Sequence, residues 1–244
     1  MIEIFKNKEA LSQAAAEFFA VQARTAITAR GCFSVLLSGG ETPRCTYELL
    51  AQEPHRTRIP WQQVHFFWGD ERCVLADDPR RNEFMAHRAF LDALPLRPEQ
   101  LHPIECERSP LQAAESYEAQ LRDFFVDSLP RFDFIFLGLG EDGHTASLLP
   151  NSEALKEQIR WTAVTRRPDE EFSRVTLIAP LLNQAAVVVF LVVGRNKAKV
   201  LHSVLEETGH RPLLPAQLVH PLRGGLYWFV DRDAACLLDL SRHH

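Results

Sequence analysis

Residues 132–147 read FDFIFLGLGEDGHTAS, an apolar run that breaks into a glycine-rich turn. Such a near-continuous apolar run is typical of a strand buried on both faces of a parallel sheet. Asp142 and His144 follow where the strand should end, and in open α/β sheets ligands bind at the carboxyl ends of strands. A histidine held there, two residues after a carboxylate, is suited to proton transfer near neutral pH. The alternative is an ordinary strand-to-helix turn in which Asp142 or Thr145 caps a helix.

Apolar runs with strand character alternate with helical patterns along the rest of the chain. The predicted strands are 33–37, 64–68, 132–137, 175–178, 187–193 and 226–230. The predicted helices are 43–52, 81–94, 111–129 and 196–206, followed by a short terminal helix. Strands separated by helices imply βαβ units, which form a parallel sheet covered by helices on both faces. We therefore expect one α/β domain over residues 1–242, with residues 243–244 as a possible remnant of a tag.

The composition limits the class of protein. Apolar residues make up 46% of the 244 residues, enough for a large core, and the formal net charge is −5. That charge argues against nucleic acid or an anionic membrane as a partner, because both attract clustered positive charge. The longest apolar stretch, 185–193, is too short to span a bilayer, and no secretory signal is visible. We therefore expect a cytoplasmic protein.

The cysteines and histidines show no spacing that indicates a metal site. An odd number of scattered cysteines is most simply interpreted as free thiols in a reducing cytosol. Neither a Gly-x-Ser-x-Gly elbow nor a His-Glu-x-x-His motif is present, so two common hydrolase classes are excluded. The five cysteines are Cys32, Cys45, Cys73, Cys106 and Cys236.

Residues 37–43, LSGGETP, follow the first predicted strand and have the features of an anion-binding turn. Gly39 and Gly40 expose backbone amides and allow a ligand to approach closely. Thr42 is a good helix N-cap, and Pro43 suits the first helical position. A helix start adds unpaired N–H groups and a positive dipole end, which together favour phosphate. The alternative is a purely structural tight turn capped by Thr42.

Three cations lie near the ends of other predicted strands. Arg72, in the GDER segment 69–72, is suited to a phosphate or a developing oxyanion because its planar guanidinium donates in pairs. Lys197 lies near a predicted helix start, where a cation opposes the helix dipole, so its position suggests an anionic partner. Arg174 directly precedes the 175–178 strand. The alternatives are a surface ion pair for Arg72 and a lysine stem lying along apolar surface for Lys197.

Taken together, these motifs resemble the 6-phosphogluconolactonase family, within the larger group that includes glucosamine-6-phosphate isomerase/deaminase. The resemblance spans nearly the whole chain and implies a NagB/RpiA-like fold, a three-layer α/β/α sandwich with a mostly parallel, Rossmann-like sheet. The chain departs from the family pattern at Glu41, Arg81 and Leu149, which concerns loop details and substrate packing. The matching segments are 37–43, 69–72 with Asn82, 138–147, 173–176, 194–198 and 214–216 with 228–231.

The resemblance implies hydrolysis of 6-phospho-D-glucono-1,5-lactone to 6-phosphogluconate in the oxidative pentose phosphate pathway, without an organic cofactor. The residues themselves predict an anion-binding turn and a histidine, without a metal. His144 would act as general base toward water, and its imidazolium would protonate the departing ring oxygen. Asp142 would orient His144 or the water. Arg72, Arg174 and Lys197 would divide phosphate binding and oxyanion stabilisation, in an order that the sequence leaves open. The remaining phosphate-binding residues would be Gly39, Gly40 and Thr42.

Two other functions remain to be weighed. A sugar-phosphate isomerase/deaminase on the same fold needs a base that removes a carbon-bound proton, and in the deaminases an acidic residue after the second strand serves it. Here the GDER segment 69–72 replaces the deaminase-like Met-Asp-Glu-Tyr pattern, which favours the lactonase. A non-catalytic sugar-phosphate-binding regulator would usually carry a DNA-binding module, and none is visible. We expect the protein to bind a small sugar phosphate. The sequence shows no surface that indicates contact between subunits, so a monomer is favoured.

Overall fold

The structure, a computed structural model, describes residues 1–107, 109–126, 130–207, 213–239 and 241. The possible tag remnant at 243–244 lies outside the described residues. The helices found there are α1 (Lys8–Arg30), α2 (Glu41–Leu50), α3 (His55–Arg58), α4 (Asn82–Ala89), α5 (Pro110–Phe124), α6 (Ala179–Leu182) and α7 (Ala198–Glu206). The strands are β1 (Ile2–Phe5), β2 (Phe33–Leu37), β3 (Val64–Trp68), β4 (Asp70–Arg72), β5 (Leu101–His102), β6 (Phe134–Leu137), β7 (Thr162–Thr165), β8 (Arg174–Leu177), β9 (Val187–Val192) and β10 (Gly225–Asp231).

Seven of the strands form one parallel sheet in the order β1-β10-β9-β6-β2-β3-β5. Helices cover both faces, so the predicted three-layer α/β/α sandwich is confirmed. The crossover connections return each strand in the same direction, which brings all the carboxyl ends to one edge. Strands β9, β6, β2 and β3 are neighbours at the centre of the sheet, and the turns that follow them therefore lie close together.

A second, antiparallel sheet of three strands, in the order β4-β8-β7, lies beside the carboxyl edge. The predicted strand 175–178 exists as Arg174–Leu177, but it belongs to this small sheet. The sequence pattern did not predict β4, because three consecutive charged residues show no apolar alternation. They are extended because Asp70 and Glu71 pair with Thr176 and Val175 of β8.

The core explains the apolar run that precedes the glycine-rich turn. All four residues of β6 are buried between β2 and β9, so the strand needs apolar side chains on both faces. Helix α1 covers one face, and the Phe19 ring lies 5.5 Å from Phe134 and 5.8 Å from Phe136, centroid to centroid. Each fully buried phenylalanine contributes about 1.5–3 kcal/mol of transfer free energy.

None of the described helices is both long and apolar enough to cross a membrane.

Helix α2 begins earlier than predicted, and the assignment of Thr42 as its N-cap is wrong. The helix starts at Glu41, so Thr42 and Pro43 are its second and third residues. Gly40 is the N-cap, with a φ of 107° that glycine adopts at little cost, and no side chain caps the helix. The turn is therefore completed by the backbone of Gly40, which leaves the first amide groups of α2 without a side-chain acceptor.

The prediction of five free thiols is wrong for two of them. Cys73 and Cys106 form a disulfide, with their Cα atoms 5.0 Å apart. The residues are separated by 33 positions, so no local spacing such as Cys-x-x-Cys reveals the pair. The fold brings the segment after β4 next to the segment after β5. The three cysteines that remain free are Cys32, Cys45 and Cys236.

Candidate active site

A cleft of 330 Å³ lies where the central strands end. Asp142 is outside its lining but contacts His144, which is part of it. A larger groove of 480 Å³, between α5 and β7, contains none of the predicted site residues. The predicted residues that line the smaller cleft are Gly39, Gly40, Thr42, Arg72, His144, Arg174 and Lys197.

The turn after β6 presses His144 against the protein backbone. A Cβ atom on Gly140 would lie 1.9 Å from Nδ1 of His144, so any other residue at this position would displace the ring. The Gly140 N–H donates to the His144 carbonyl at 2.8 Å, and the Thr145 hydroxyl donates to the Gly138 carbonyl at 2.9 Å. The next helical segment in the described chain is a 3₁₀ turn at Glu153–Leu155, so the helix-cap alternative for this turn is wrong.

Asp142 and His144 form a hydrogen-bonded pair. Oδ1 of Asp142 accepts the backbone N–H of His144 at 3.1 Å and lies in close contact with Nδ1 of the ring. A proton on Nδ1 that is donated to this carboxylate leaves the lone pair of Nε2 free to accept a proton. The arrangement therefore gives His144 the tautomer that a general base requires.

Burial and the charge of Arg167 favour the neutral histidine, and the hydrogen bonds and positive charges around Asp142 favour its ionised form. Burial lowers the pKa of His144, the hydrogen bond and charge of Asp142 oppose that effect, and the charge of Arg167 lowers the pKa further. Burial raises the pKa of Asp142, but the hydrogen bond from His144 and the positive charges of His144 and Arg167 outweigh it, and the net pKa is lowered. His144 is thus unprotonated near pH 7 and available as a base.

Arg167 is a site residue that the sequence analysis did not identify. Its Nη2 lies 3.1 Å from Oδ2 of Asp142 and 2.8 Å from Nδ1 of His144. It belongs to the loop between β7 and β8, 23 residues after His144. The only signal in the sequence is the pair Arg166-Arg167, and residues 162–165 were not predicted as a strand that could place it.

A buried tyrosine fixes the predicted anion-binding turn. The hydroxyl of Tyr47 accepts the backbone N–H of Ser38 at 3.0 Å and donates to the carbonyl of Ser38 at 3.1 Å. Tyr47 lies on α2, so the helix holds the end of β2 directly before Gly39 and Gly40. The amide groups of this turn and of the first turn of α2 therefore have a fixed position at the cleft.

The two arginines of the cleft have different partners. Arg174 donates from Nε to Glu170 at 2.9 Å and pairs with it a second time through Nη2, so its charge is already compensated. Arg72 donates from Nη1 to the carbonyl of Arg80, and it belongs to no ion pair among the described residues. The Nε of Arg72 is buried and has no hydrogen-bond partner in the described part of the chain. The surface ion pair considered for Arg72 is therefore wrong, and this side chain has donor capacity to spare.

Lys197 lines the cleft from the segment that follows β9. It is the last residue of a 3₁₀ turn, Arg195–Lys197, that leads directly into α7. Asp231, at the end of β10, fixes this loop because its Oδ1 accepts the Gly194 N–H at 3.0 Å and the Ala234 N–H at 2.8 Å. Lys197 is half-buried and, within the described ranges, has no carboxylate partner.

Two buried carboxylates follow β3. Glu71 accepts the backbone N–H groups of Asn82 at 2.7 Å and Glu83 at 2.8 Å, so it binds the start of α4 and does not line the cleft. Asp70 does line the cleft and accepts hydrogen bonds from the Ser147 hydroxyl and, at 3.3 Å, from Nδ2 of Asn82. The described residues contain no cluster of three or more His, Cys, Asp or Glu side chains suited to a metal ion.

Comparison with known proteins places the chain among sugar-phosphate enzymes. The profile of a family described as glucosamine-6-phosphate isomerases/6-phosphogluconolactonase matches residues 6–228. A 6-phosphogluconolactonase of Synechocystis sp. is 38% identical over 237 residues, 96% of each chain. The solved structure of 6-phosphogluconolactonase from Trypanosoma brucei superposes with a TM-score of 0.88 at 28% identity over 98% of both chains. A monomeric glucosamine-6-phosphate deaminase, with a TM-score of 0.81 at 24% identity over 97% of this chain and 99% of its own, shares the fold alone.

Proposed function

The chain belongs to the family of glucosamine-6-phosphate isomerases and 6-phosphogluconolactonases, and on that premise we propose how its cleft performs the reaction. The reaction is the hydrolysis of 6-phospho-D-glucono-1,5-lactone to 6-phospho-D-gluconate, in the oxidative pentose phosphate pathway. The observation that carries the proposal is the position of His144. It is the one histidine of the described chain that lines the cleft, and its Nδ1 contacts Asp142.

His144 is the general base and then the general acid. Its Nε2 accepts a proton from a water molecule while the water oxygen attacks C1 of the lactone. The tetrahedral intermediate then collapses, the bond from C1 to the ring oxygen breaks, and the imidazolium returns the proton to that oxygen. Asp142 accepts the hydrogen bond from Nδ1–H throughout and stabilises the imidazolium that forms between the two steps. The new carboxylic acid ionises in water.

Arg72 stabilises the negative oxygen of the intermediate. The support for this role is that Arg72 lines the cleft and has no carboxylate partner among the described residues, so its positive charge is available to an anion that forms there. Arg174 is the weaker candidate because Glu170 already occupies its guanidinium. Arg174 lines the cleft beside Arg72, its partner across β4 and β8, where it lies 3.4 Å from Ser147 Oγ and adds positive charge to the binding of the anionic substrate.

Lys197 binds the phosphate, together with the backbone amides around Gly39 and Gly40 and the hydroxyl of Thr42. All of these groups line the cleft. The first N–H groups of α2 have no intrahelical acceptor and are not capped by a side chain, which favours an anion at this helix end. Lys197 supplies the positive charge without first losing an ion pair.

The test is the His144→Ala variant, assayed with freshly generated lactone. We expect its turnover number to fall by about 10²–10⁴-fold, while its affinity for 6-phosphogluconate stays nearly that of the wild type. The lactone hydrolyses spontaneously, so that background rate is subtracted. The exposed His220 is the control, and His220→Ala should keep full activity.

Wild-type turnover in His144→Ala would remove His144 from the mechanism. Glucosamine 6-phosphate is the control substrate for the other activity of the family. If the protein converts glucosamine 6-phosphate faster than it hydrolyses the lactone, the assignment of lactone hydrolysis to this cleft is wrong.

We also propose that the chain is one domain over residues 1–242 and acts as a cytoplasmic monomer. Buried apolar residues from α1 to β10 form a single continuous cluster, which supports one domain. The charged phosphate of the substrate crosses an apolar bilayer only at high cost, which supports a cytoplasmic site of action. Light scattering after size exclusion should give the monomer mass of 27.8 kDa, and twice that mass would contradict the monomer.

A further inference from the structure

Arg167 lies beside the proposed general base, and its guanidinium contacts both Asp142 and His144. Its Nη2 lies 3.1 Å from Oδ2 of Asp142, and 2.8 Å and 3.4 Å from the two ring nitrogens of His144. Neither Asp142 nor Arg167 lines the cleft, whereas His144 does. Arg167 therefore reaches the reacting atoms only through His144.

A second carboxylate, that of Glu170, lies close to Arg167. Its Nε lies 4.0 Å from Oε1 of Glu170, which also binds Arg174, and its carbonyl accepts the Glu170 N–H at 3.2 Å. The network continues from Arg174 to Ser147 and from Ser147 to Asp70. The side chain is only 25% exposed. Arg167 is thus part of a connected polar layer and not a mobile surface arginine.

We propose that Arg167 is a positioning residue for lactone hydrolysis: its guanidinium donates to Oδ2 of Asp142 and places a positive charge against the His144 ring, so that Asp142 stays ionised and His144 stays neutral. The proposal rests on the function assigned to His144 above. A guanidinium cannot lose its proton in a protein, so it acts as a permanent positive charge at this place.

Two consequences follow from that charge. It stabilises the ionised form of Asp142, which accepts the hydrogen bond from Nδ1–H of His144. It also destabilises the imidazolium of His144, so the ring stays available as a base at lower pH and releases its proton readily to the departing ring oxygen.

The other charges that face His144 do not duplicate this effect. Asp142 and Asp70 are carboxylates, and both favour the protonated ring. The cations Arg72, Arg174 and Lys197 line the same cleft but do not contact the ring. Arg167 is the cation in direct contact with His144 among the described residues.

The experiment compares Arg167→Gln and Arg167→Lys with Arg166→Gln. Arg166 is the adjacent loop arginine and is exposed. Among the described residues it donates to the Glu170 carbonyl and contacts neither Asp142 nor His144, so its replacement removes the same charge without disturbing the pair. Two quantities are measured for each variant: the dependence of kcat on pH, and the midpoint of the His144 ring titration by NMR, assigned with His144→Ala.

Removal of the contact should raise the His144 midpoint, and with it the acidic limb of the kcat profile, by about 0.5–1 pH unit. Arg167→Gln should also lower kcat several-fold with a smaller change in KM. In Arg167→Lys the His144 midpoint should lie close to the wild-type value. Arg166→Gln should change neither the kcat profile nor the NMR titration. Thermal melting identifies a variant that fails to fold, and Arg167→Met then serves as a second uncharged replacement.

A wild-type midpoint in Arg167→Gln would overturn the proposal, even if kcat fell uniformly at every pH, because that result indicates a purely structural role. The NMR titration does not require turnover. If His144→Ala retained full activity, the proposed function would fail, while the titration would still decide whether Arg167 acts on the ring.

Discussion

Lys197 and Arg72 both line the cleft, but they differ in what already binds their nitrogen atoms. Lys197 has no carboxylate partner among the described residues, and it lies at the start of α7. Arg72 donates to the Arg80 carbonyl and keeps a buried Nε without a partner. Lys197 faces the phosphate, a charge that the substrate always carries, so its loss should weaken binding. Arg72 faces the oxyanion, a charge that develops only during the reaction, so its loss should lower turnover.

Lys197→Ala should weaken binding of the phosphate group. Removal of one charged partner of a bound phosphate costs about 1.5–3 kcal/mol, roughly ten- to hundredfold in affinity. Competitive inhibition by 6-phosphogluconate should weaken by that factor, and inhibition by unphosphorylated gluconate should change much less. Lys199→Ala, at an exposed position two residues further on, is the control and should leave both inhibition constants unchanged.

Arg72→Ala should instead depress turnover. Loss of one donor to an oxyanion typically lowers kcat by about 10²–10³-fold, because the interaction is strongest in the transition state. The inhibition constant of 6-phosphogluconate should change by less than in Lys197→Ala. If both variants bind 6-phosphogluconate as tightly as the wild type, the phosphate site has been assigned to the wrong part of the cleft.

At the scale of single elements, two helices use the same device to fix the ends of two strands. Tyr47 of α2 both accepts from and donates to the backbone of Ser38, and Tyr117 of α5 does the same for Trp68, with all four distances between 3.0 and 3.1 Å. Both tyrosines are fully buried or nearly so. In each case, a tyrosine hydroxyl on a helix that covers the sheet fixes the backbone directly before the turn.

Tyr47→Phe and Tyr117→Phe should each lower the free energy of unfolding by about 1–3 kcal/mol, because each leaves a buried N–H and a buried C=O without a partner. Urea unfolding measures this change. Tyr227→Phe is the matched control, since the third tyrosine of the chain packs against Phe18 and its hydroxyl has no hydrogen-bond partner in the described residues. Equal stability of all three variants would show that the hydroxyls do not fix the strand ends.

Helix α4 begins on a buried carboxylate. Burial raises the pKa of Glu71 to about 7, against the opposing effect of the backbone donors at the start of α4. Between about pH 4.5, the unfolded value, and pH 7, the folded state therefore binds a proton that the unfolded state has released. By linkage, the free energy of unfolding falls as the pH rises through this window.

Glu71→Gln should remove that dependence. The difference in unfolding free energy between pH 4.5 and 7.5 should be smaller in the variant than in the wild type by an amount on the order of 1–3 kcal/mol. Urea unfolding at both pH values measures it, with the exposed Glu115→Gln as control. An unchanged difference in Glu71→Gln would mean that this carboxyl does not titrate in the window.

At the scale of the whole molecule, the disulfide joins the small antiparallel sheet to the edge of the parallel one. It closes a loop between Cys73, directly after β4, and Cys106, after β5. Closure of a loop of this length stabilises the folded state by about 3–4 kcal/mol in the chain-entropy account. The loop contains α4, whose first residues, Asn82 and Glu83, donate their backbone N–H groups to Glu71.

Reduction of the protein should lower the free energy of unfolding by about that amount, measured by denaturant unfolding with and without dithiothreitol. Cys73→Ser with Cys106→Ser should be insensitive to the reductant. Thiol titration of the denatured protein, isolated without reductant and oxidised in air, should find three thiols, those of Cys32, Cys45 and Cys236. Five thiols would contradict the pairing.

The central strands and the turns that follow them were determined by the sequence alone. Residues 33–37 and 64–68 were predicted with the bounds that β2 and β3 have in the structure. Burial on both faces leaves a continuous apolar run, and the end of the run is marked by glycines, so both signals are local. Because parallel strands end at one edge, the same reasoning brought His144, the Gly39-Gly40 turn and Lys197 to one cleft.

Only the tertiary structure decided which side chains meet within that cleft. The contact of Arg167 with His144 spans 23 residues, and the Cys73–Cys106 pair spans 33. The charged strand β4 is extended only because β8 lies beside it. Periodicity and spacing report the environment of a residue relative to its own strand or helix. They contain no information on which other segment lies opposite, and that depends on how the loops cross the carboxyl edge of the sheet.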